Sequence, residues 1–134
     1  MLPNYLSALP HFLSYFTMAA LLLCVFWSIY TFLTPHDELR LIREGNISAA
    51  IALVGALMGF ALPVTAAILH SVSTMALIQW SLVAMVLQLG VYALLRLLMP
   101  HLGASISADR PAPAILLAGI SIVCGILNAA AMSF

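Results

Sequence analysis

The sequence predicts an all-α, polytopic membrane protein whose four transmembrane helices form two repeated helical hairpins. Three observations predict this. Of the 134 residues, 65% are hydrophobic and only 6% charged, too few charges to cover a water-soluble domain. Four apolar runs are each long enough to cross a hydrocarbon core of ~30 Å, which takes ~20 helical residues at 1.5 Å rise each. Every charged side chain falls in or beside two of the segments between those runs.

The runs are residues 12–33, 47–69, 75–99 and 114–134. Lipid cannot satisfy an exposed backbone, and these runs are rich in Leu and Ala without alternation of polar and apolar positions. They are therefore helices rather than barrel strands. The chain is read as one membrane domain, 1–134, with a first hairpin over 12–69 and a second over 75–134. Residues 1–11 carry no basic side chain and the first run is longer than a signal core, so the first helix is expected to stay in the mature protein. Cys24 and Cys124 sit inside apolar runs and are read as small packing residues, not as a disulfide pair.

The segment after the first run reads Thr34-Pro35-His36-Asp37-Glu38-Leu39-Arg40-Leu41-Ile42-Arg43-Glu44-Gly45-Asn46. Thr34 suits an N-cap and Pro35 a first helical position. Asp37 and Glu38 suit the positive end of the helix dipole, and Arg40 and Arg43 the other end. A two-turn helix lying in the headgroup region is expected, ended by Gly45 or Asn46. In the second run Pro63 lacks the N–H that would bond the Gly59 carbonyl, so a bend is expected there. Arg96, near the end of the third run, can snorkel to the interface. Beyond the third run come His101, Asp109 and Arg110. All four basic side chains thus lie on one side, and the positive-inside rule places both charged loops in the cytoplasm and both termini outside.

Small residues recur along the second and fourth helices: Ser48, Ala52, Ala56, Gly55 and Gly59 on one, Ser121, Gly125 and Ala129 on the other. Such stripes let backbones approach, so these helices are expected to form the inner contact, within a protomer or in a homo-oligomer. Gly55, Gly59, Pro63, Gly119, Gly125 and Asn128 are the candidate packing or kink positions. The first and third helices carry Phe16, Phe26, Trp27, Tyr30, Trp80, Leu87 and Tyr92, expected to face lipid or its interface.

An internal repeat supports the hairpins. Thr34-Pro35-His36 closes the first run as Met99-Pro100-His101 closes the third, sixty-five positions on. Ala50-Ile51, Leu53, Gly55 and Ala66-Ala67 return sixty-four positions on as Ala114-Ile115, Leu117, Gly119 and Ala130-Ala131. Each half crosses twice, so the halves keep one orientation and are related about an axis along the membrane normal.

The chain has no Lys and its formal charge is zero, which offers nothing basic to nucleic acid. His36 and His101 fall at equivalent repeat positions with Asp37, Glu38 and Asp109 nearby, but without metal-ligand spacing, and no metal or other cofactor is expected. No Ser or Cys has an identifiable base, so no catalytic residue and no enzyme activity is expected. The runs hold no carboxylate, which disfavours proton-coupled antiport; Gln88 and Asn128 are the candidate intramembrane polar residues. The candidate cytoplasmic interaction residues are His36, Asp37, Glu38, Arg40, Arg43, His101 and Arg110.

The residues Thr34-Pro35-His36-Asp37-Glu38, Leu41-Ile42, Asn46, Ala49-Ala50, Gly55, Gly59-Phe60, Leu62-Pro63, Ala66-Ala67-Ile68 and the ending Leu127-Asn128-Ala129-Ala130 with Met132 resemble the YjfL-like family. This is a family of bacterial inner-membrane proteins, known as domain of unknown function number three hundred and fifty. The resemblance covers nearly the whole chain. It implies a multi-pass protein of the bacterial inner membrane with two helical hairpins, and supplies no catalytic residues. Relatives encoded near phage-shock-type and ATP-grasp proteins imply an accessory role at the membrane's cytoplasmic face, an associational argument. The expected function is a non-enzymatic component that recruits or organises an envelope-stress or membrane-maintenance system through a cytoplasmic protein partner. The rival is a small oligomeric channel or carrier for an ion or small solute.

Overall fold

The computed structural model describes residues 2–34, 38–70 and 73–132. Within them the chain forms α1 (Leu2–Leu33), α2 (Glu38–Arg43), α3 (Ile47–His70), α4 (Thr74–Leu98), α5 (Leu102–Ser107) and α6 (Pro111–Ala131), with no strand among the described residues. Four helices, over Leu6–Leu33, Ile47–His70, Thr74–Leu98 and Pro111–Ala131, are long and apolar enough to cross a membrane.

Two helices start more than one residue before their apolar runs. α1 starts ten residues early and continues through Pro10, whose missing N–H deprives only a carbonyl in the exposed first turns. At 1.5 Å per residue α1 is about 48 Å long, so it tilts or projects beyond a core of ~30 Å. α6 starts at Pro111, where proline's fixed φ suits a first helical position and its missing N–H would be unpaired anyway. The last two residues of the fourth run lie outside the described residues, as do Pro35, His36, Asp37 and Ser71.

The architecture is centred on α3, the most buried of the long helices, and its closest partner is α6. A Cβ added at Gly55 would fall on Ala118, one at Gly59 on the carbonyl of Ser121, and one at Gly125 on the carbonyl of Gly59. The two backbones are in direct contact. Lipid tails are as apolar as Leu, so this close packing is what association gains inside a membrane, together with weak Cα–H···O contacts. Pro63 withdraws the intrahelical donor from the Gly59 carbonyl, and that carbonyl faces Gly125 across the contact. Gly119, by contrast, points outward, with open space where a Cβ would stand, and takes no part in the packing.

Bulk enters the core from α1 and α4, which corrects the expectation that their aromatic residues all face lipid. Phe26, Tyr30 and Tyr92 are buried. Phe26 stacks on Phe60 at 4.6 Å between ring centroids, and Tyr30 meets Tyr92 edge-on at 5.2 Å. The reason is complementary volume: where small residues bring α3 and α6 together, side chains from flanking helices must fill the space beside them. Phe16, Trp80 and Leu87 are exposed as expected, and Trp27 is half-buried.

The short helices end alike. After α2, the Gly45 amide (φ +89°) donates to the Ile42 carbonyl at 3.0 Å and the Asn46 amide to Leu41 at 2.8 Å. After α5, the Asp109 amide (φ +58°) donates to Ile106 at 2.9 Å and the Arg110 amide to Ser105 at 3.0 Å. Each is a Schellman turn with its left-handed residue just past the helix end. Gly enters that region freely; Asp is among the few other residues that tolerate it.

Candidate functional site

The loop end of the molecule is built from Asn46 and Asp109. Asn46 precedes α3, and its side-chain oxygen accepts from the Ala49 amide at 2.8 Å, capping the helix. Its side-chain nitrogen donates to the carbonyls of Ile106 at 3.0 Å and Ser107 at 3.2 Å, at the end of α5. Asp109, just past α5, returns the link: its Oδ1 accepts from the Ser48 amide in the first turn of α3 at 2.9 Å. That backbone hydrogen bond holds the Asp109 carboxyl below the usual carboxylate range. Two segments sixty residues apart in sequence are thus tied into one frame.

On this frame Arg40, Arg43, Glu44, His101, Asp109 and Arg110 are exposed. Arg40 and Glu44 approach to 3.9 Å, a solvated pair worth at most ~1 kcal/mol. Guanidinium groups carried on short helices can recognise carboxylate or phosphate by paired N–H donation. His36 and Asp37 lie outside the described residues.

Glu38 departs from the expectation of a loop-exposed carboxylate: it is 0% exposed. Glu38 and Leu41 stand three residues apart on one face of α2, and packing that face inward takes the carboxylate with it. It lies within Coulombic reach of the phenols of Tyr30 and Tyr92. Sequence reading assigned Glu38 to solvent because charge patterning does not report which face of so short a helix is covered.

Inside the membrane span, Gln88 is buried with its Oε1 beside Gly59, at the contact where α4 crosses α3. Its Nε2 and the side-chain nitrogen of half-buried Asn128 find no hydrogen-bond partner among the described residues. Gly55, Gly59 and Gly125 therefore share the α3–α6 seam, Gln88 borders it, Pro63 is buried one turn beyond Gly59 on α3, and Gly119 has no part in the seam. Asn46 and Asp109 are the residues sequence reasoning missed. Asn directly before an apolar helix is an N-cap signal, whereas nothing local to Asp109 points to α3. The described residues hold no group of three His, Cys, Asp or Glu that could bind a metal.

The family model described as Domain of Unknown Function (DUF350) matches residues 4–132. The chain is 34% identical over 131 residues to the UPF0719 inner membrane protein YjfL of Escherichia coli strain K12, covering 98% of this chain and 99% of the relative. The protein of the same name from Escherichia coli O157:H7 matches to the same extent. No solved structure matches.

Proposed function

The chain belongs to the DUF350 family, and from that premise we propose that it is a non-enzymatic accessory component of the bacterial inner membrane. In this reading it recruits or organises an envelope-stress or membrane-maintenance system through its charged loop face. The observation that carries the proposal is the frame at that face: Asn46 and Asp109 cross-tie the two loop segments, and Arg40, Arg43 and Arg110 stand exposed on those segments. Ordering a loop before binding lowers the entropy a partner must overcome, which suits a docking surface. The positive-inside rule supports a cytoplasmic position for this face and an outer position for both termini, and the relatives' name supports the inner membrane.

The test is photo-cross-linking in cells from Glu44 and Ala104 in the loop segments, with exposed Leu127 in the fourth span as control. Discrete protein adducts at the first two sites, lost with Arg43→Glu and Arg110→Glu while membrane insertion persists, are expected. Adducts absent from the loop sites, or unchanged by both charge reversals, overturn the proposal.

A channel or carrier is the second reading, favoured by Gln88 beside a Gly59 carbonyl released from intrahelical bonding by Pro63. The direct contact of the α3 and α6 backbones at that level weighs against a passage between them. Solute-selective flux in liposomes holding purified protein, abolished by Gln88→Leu, would favour this reading over the first.

We also read the two hairpins as copies of one unit. The support is that the two Schellman turns place their left-handed residues, Gly45 and Asp109, sixty-four positions apart, the interval at which the second hairpin members repeat in sequence.

A further inference from the structure

Arg96 lies in the last turn of α4 with its guanidinium exposed. One nitrogen, Nη1, donates to the Leu33 carbonyl at 3.1 Å, meeting an acceptor that the end of α1 leaves without an intrahelical donor. A guanidinium has five N–H donors, and among the described residues no carboxylate pairs with this one. Arg96 also lines a groove of about 440 Å³ between α1 and α4. Leu33, Tyr92, Ala93, Leu97 and Pro100 line it with Arg96, and of these Tyr92 is the buried one. Grooves between α1 and α3, along Leu23, Trp27 and Met58, and between α3 and α6, along Ile51, Val54 and Ala118, have no charged side chain in their linings.

A cation over an apolar groove at the end of a membrane-spanning helix matches one chemistry: an anionic head joined to a hydrocarbon chain. We propose that this groove binds an anionic phospholipid from the leaflet on the loop side, its phosphodiester held by Arg96 and one acyl chain lying along Leu33, Ala93 and Tyr92 toward the midplane. The charge complementarity selects the lipid. A planar guanidinium offers parallel N–H donors to phosphate oxygens, and a net-negative headgroup leaves that attraction uncancelled, whereas a zwitterionic one brings its own ammonium. The site differs from the charged loop face because it opens sideways into the bilayer.

The test is native mass spectrometry of the full chain, delipidated in mild detergent and given equal amounts of phosphatidylglycerol and phosphatidylcholine with the same acyl chains. One basic side chain near a membrane surface corresponds to about a fivefold preference, so wild type should retain phosphatidylglycerol about fivefold over phosphatidylcholine. Arg96→Gln should bring the ratio close to one, Arg96→Lys should keep part of it, and Arg43→Gln on the loop face should leave it unchanged. Ala93→Trp fills the groove without altering charge and should reduce retention of both lipids. It decides the matter if Arg96→Gln fails to fold for want of its bond to Leu33. Wild-type preference in Arg96→Gln, equal loss in Arg43→Gln, or unchanged retention in Ala93→Trp overturns the proposal. So does displacement of the lipid by inorganic phosphate alone, which would mark an anion site indifferent to the chain.

Discussion

Asn46 and Asp109 each join the start of α3 to the segment at the end of α5, so single substitutions there report on the whole loop face. Asn46→Ala removes a cap worth about 1 kcal/mol and strips the donor from two carbonyls, so a loss of about 1–2 kcal/mol in reversible unfolding from mixed micelles is expected. A loss near zero would show that water replaces the side chain fully. Asp109 has a depressed pKa when folded, so its bond to Ser48 stabilises at pH above the unfolded carboxylate value and is lost as pH falls through the folded one. Asp109→Asn should therefore flatten the acid limb of the stability profile while leaving the profile at neutral and higher pH parallel to wild type. An acid limb as steep as before would assign the sensitivity to another carboxylate. Asn46 reads from the sequence as a possible end of α2, whereas its type and position also signal the start of α3; its bonds to Ile106 and Ser107 leave no such signal, because no local pattern encodes a contact sixty residues away.

Among the elements, the α3–α6 seam is decided by where side chains are absent. Gly59→Leu or Gly125→Leu forces carbon into an opposing backbone, and a cost of at least the ~1–3 kcal/mol typical of overpacking is expected, since a backbone yields less than a side chain. Gly90→Leu and Gly119→Leu meet open space and should stay within about 0.5 kcal/mol of wild type. Equal unfolding midpoints for all four would refute the seam as the main source of association. Ala84, on the third of the long helices, is fully buried, so Ala84→Leu should be costly as well, unlike Gly90→Leu on the same helix. Phe26→Ala should cost about 1 kcal/mol, the worth of its stack on Phe60, and not the ~3–5 kcal/mol of a water-soluble core. Lipid already solvates an exposed ring, so only the specific packing is lost. A loss above ~3 kcal/mol, measured by the same titration, would contradict that account.

At the scale of the molecule, the distribution of arginines makes a prediction about sidedness. Single cysteines placed at Ser105 and at an amino-terminal site, in a background lacking Cys24 and Cys124, should react differently with an impermeant maleimide in intact cells. The amino-terminal site should label from outside and Ser105 only after the cells are permeabilised. The reverse pattern would invert the orientation and move the Arg96 groove to the outer leaflet.

Composition and run length by themselves determined that the chain is helical, how many times it can cross a membrane and that its charges gather at one end, because each follows from the cost of exposing backbone or charge to hydrocarbon. Tertiary structure alone decided that Glu38 turns inward, that Phe26, Tyr30 and Tyr92 fill the core, and that Gly119 has no part in the seam while Gly59 and Gly125 do. The physical reason is that lipid and protein interior are nearly equal solvents for an apolar side chain, so hydrophobicity places a residue in the membrane without choosing its neighbour. That choice falls to shape and hydrogen bonding between segments, which exist only once the helices are packed.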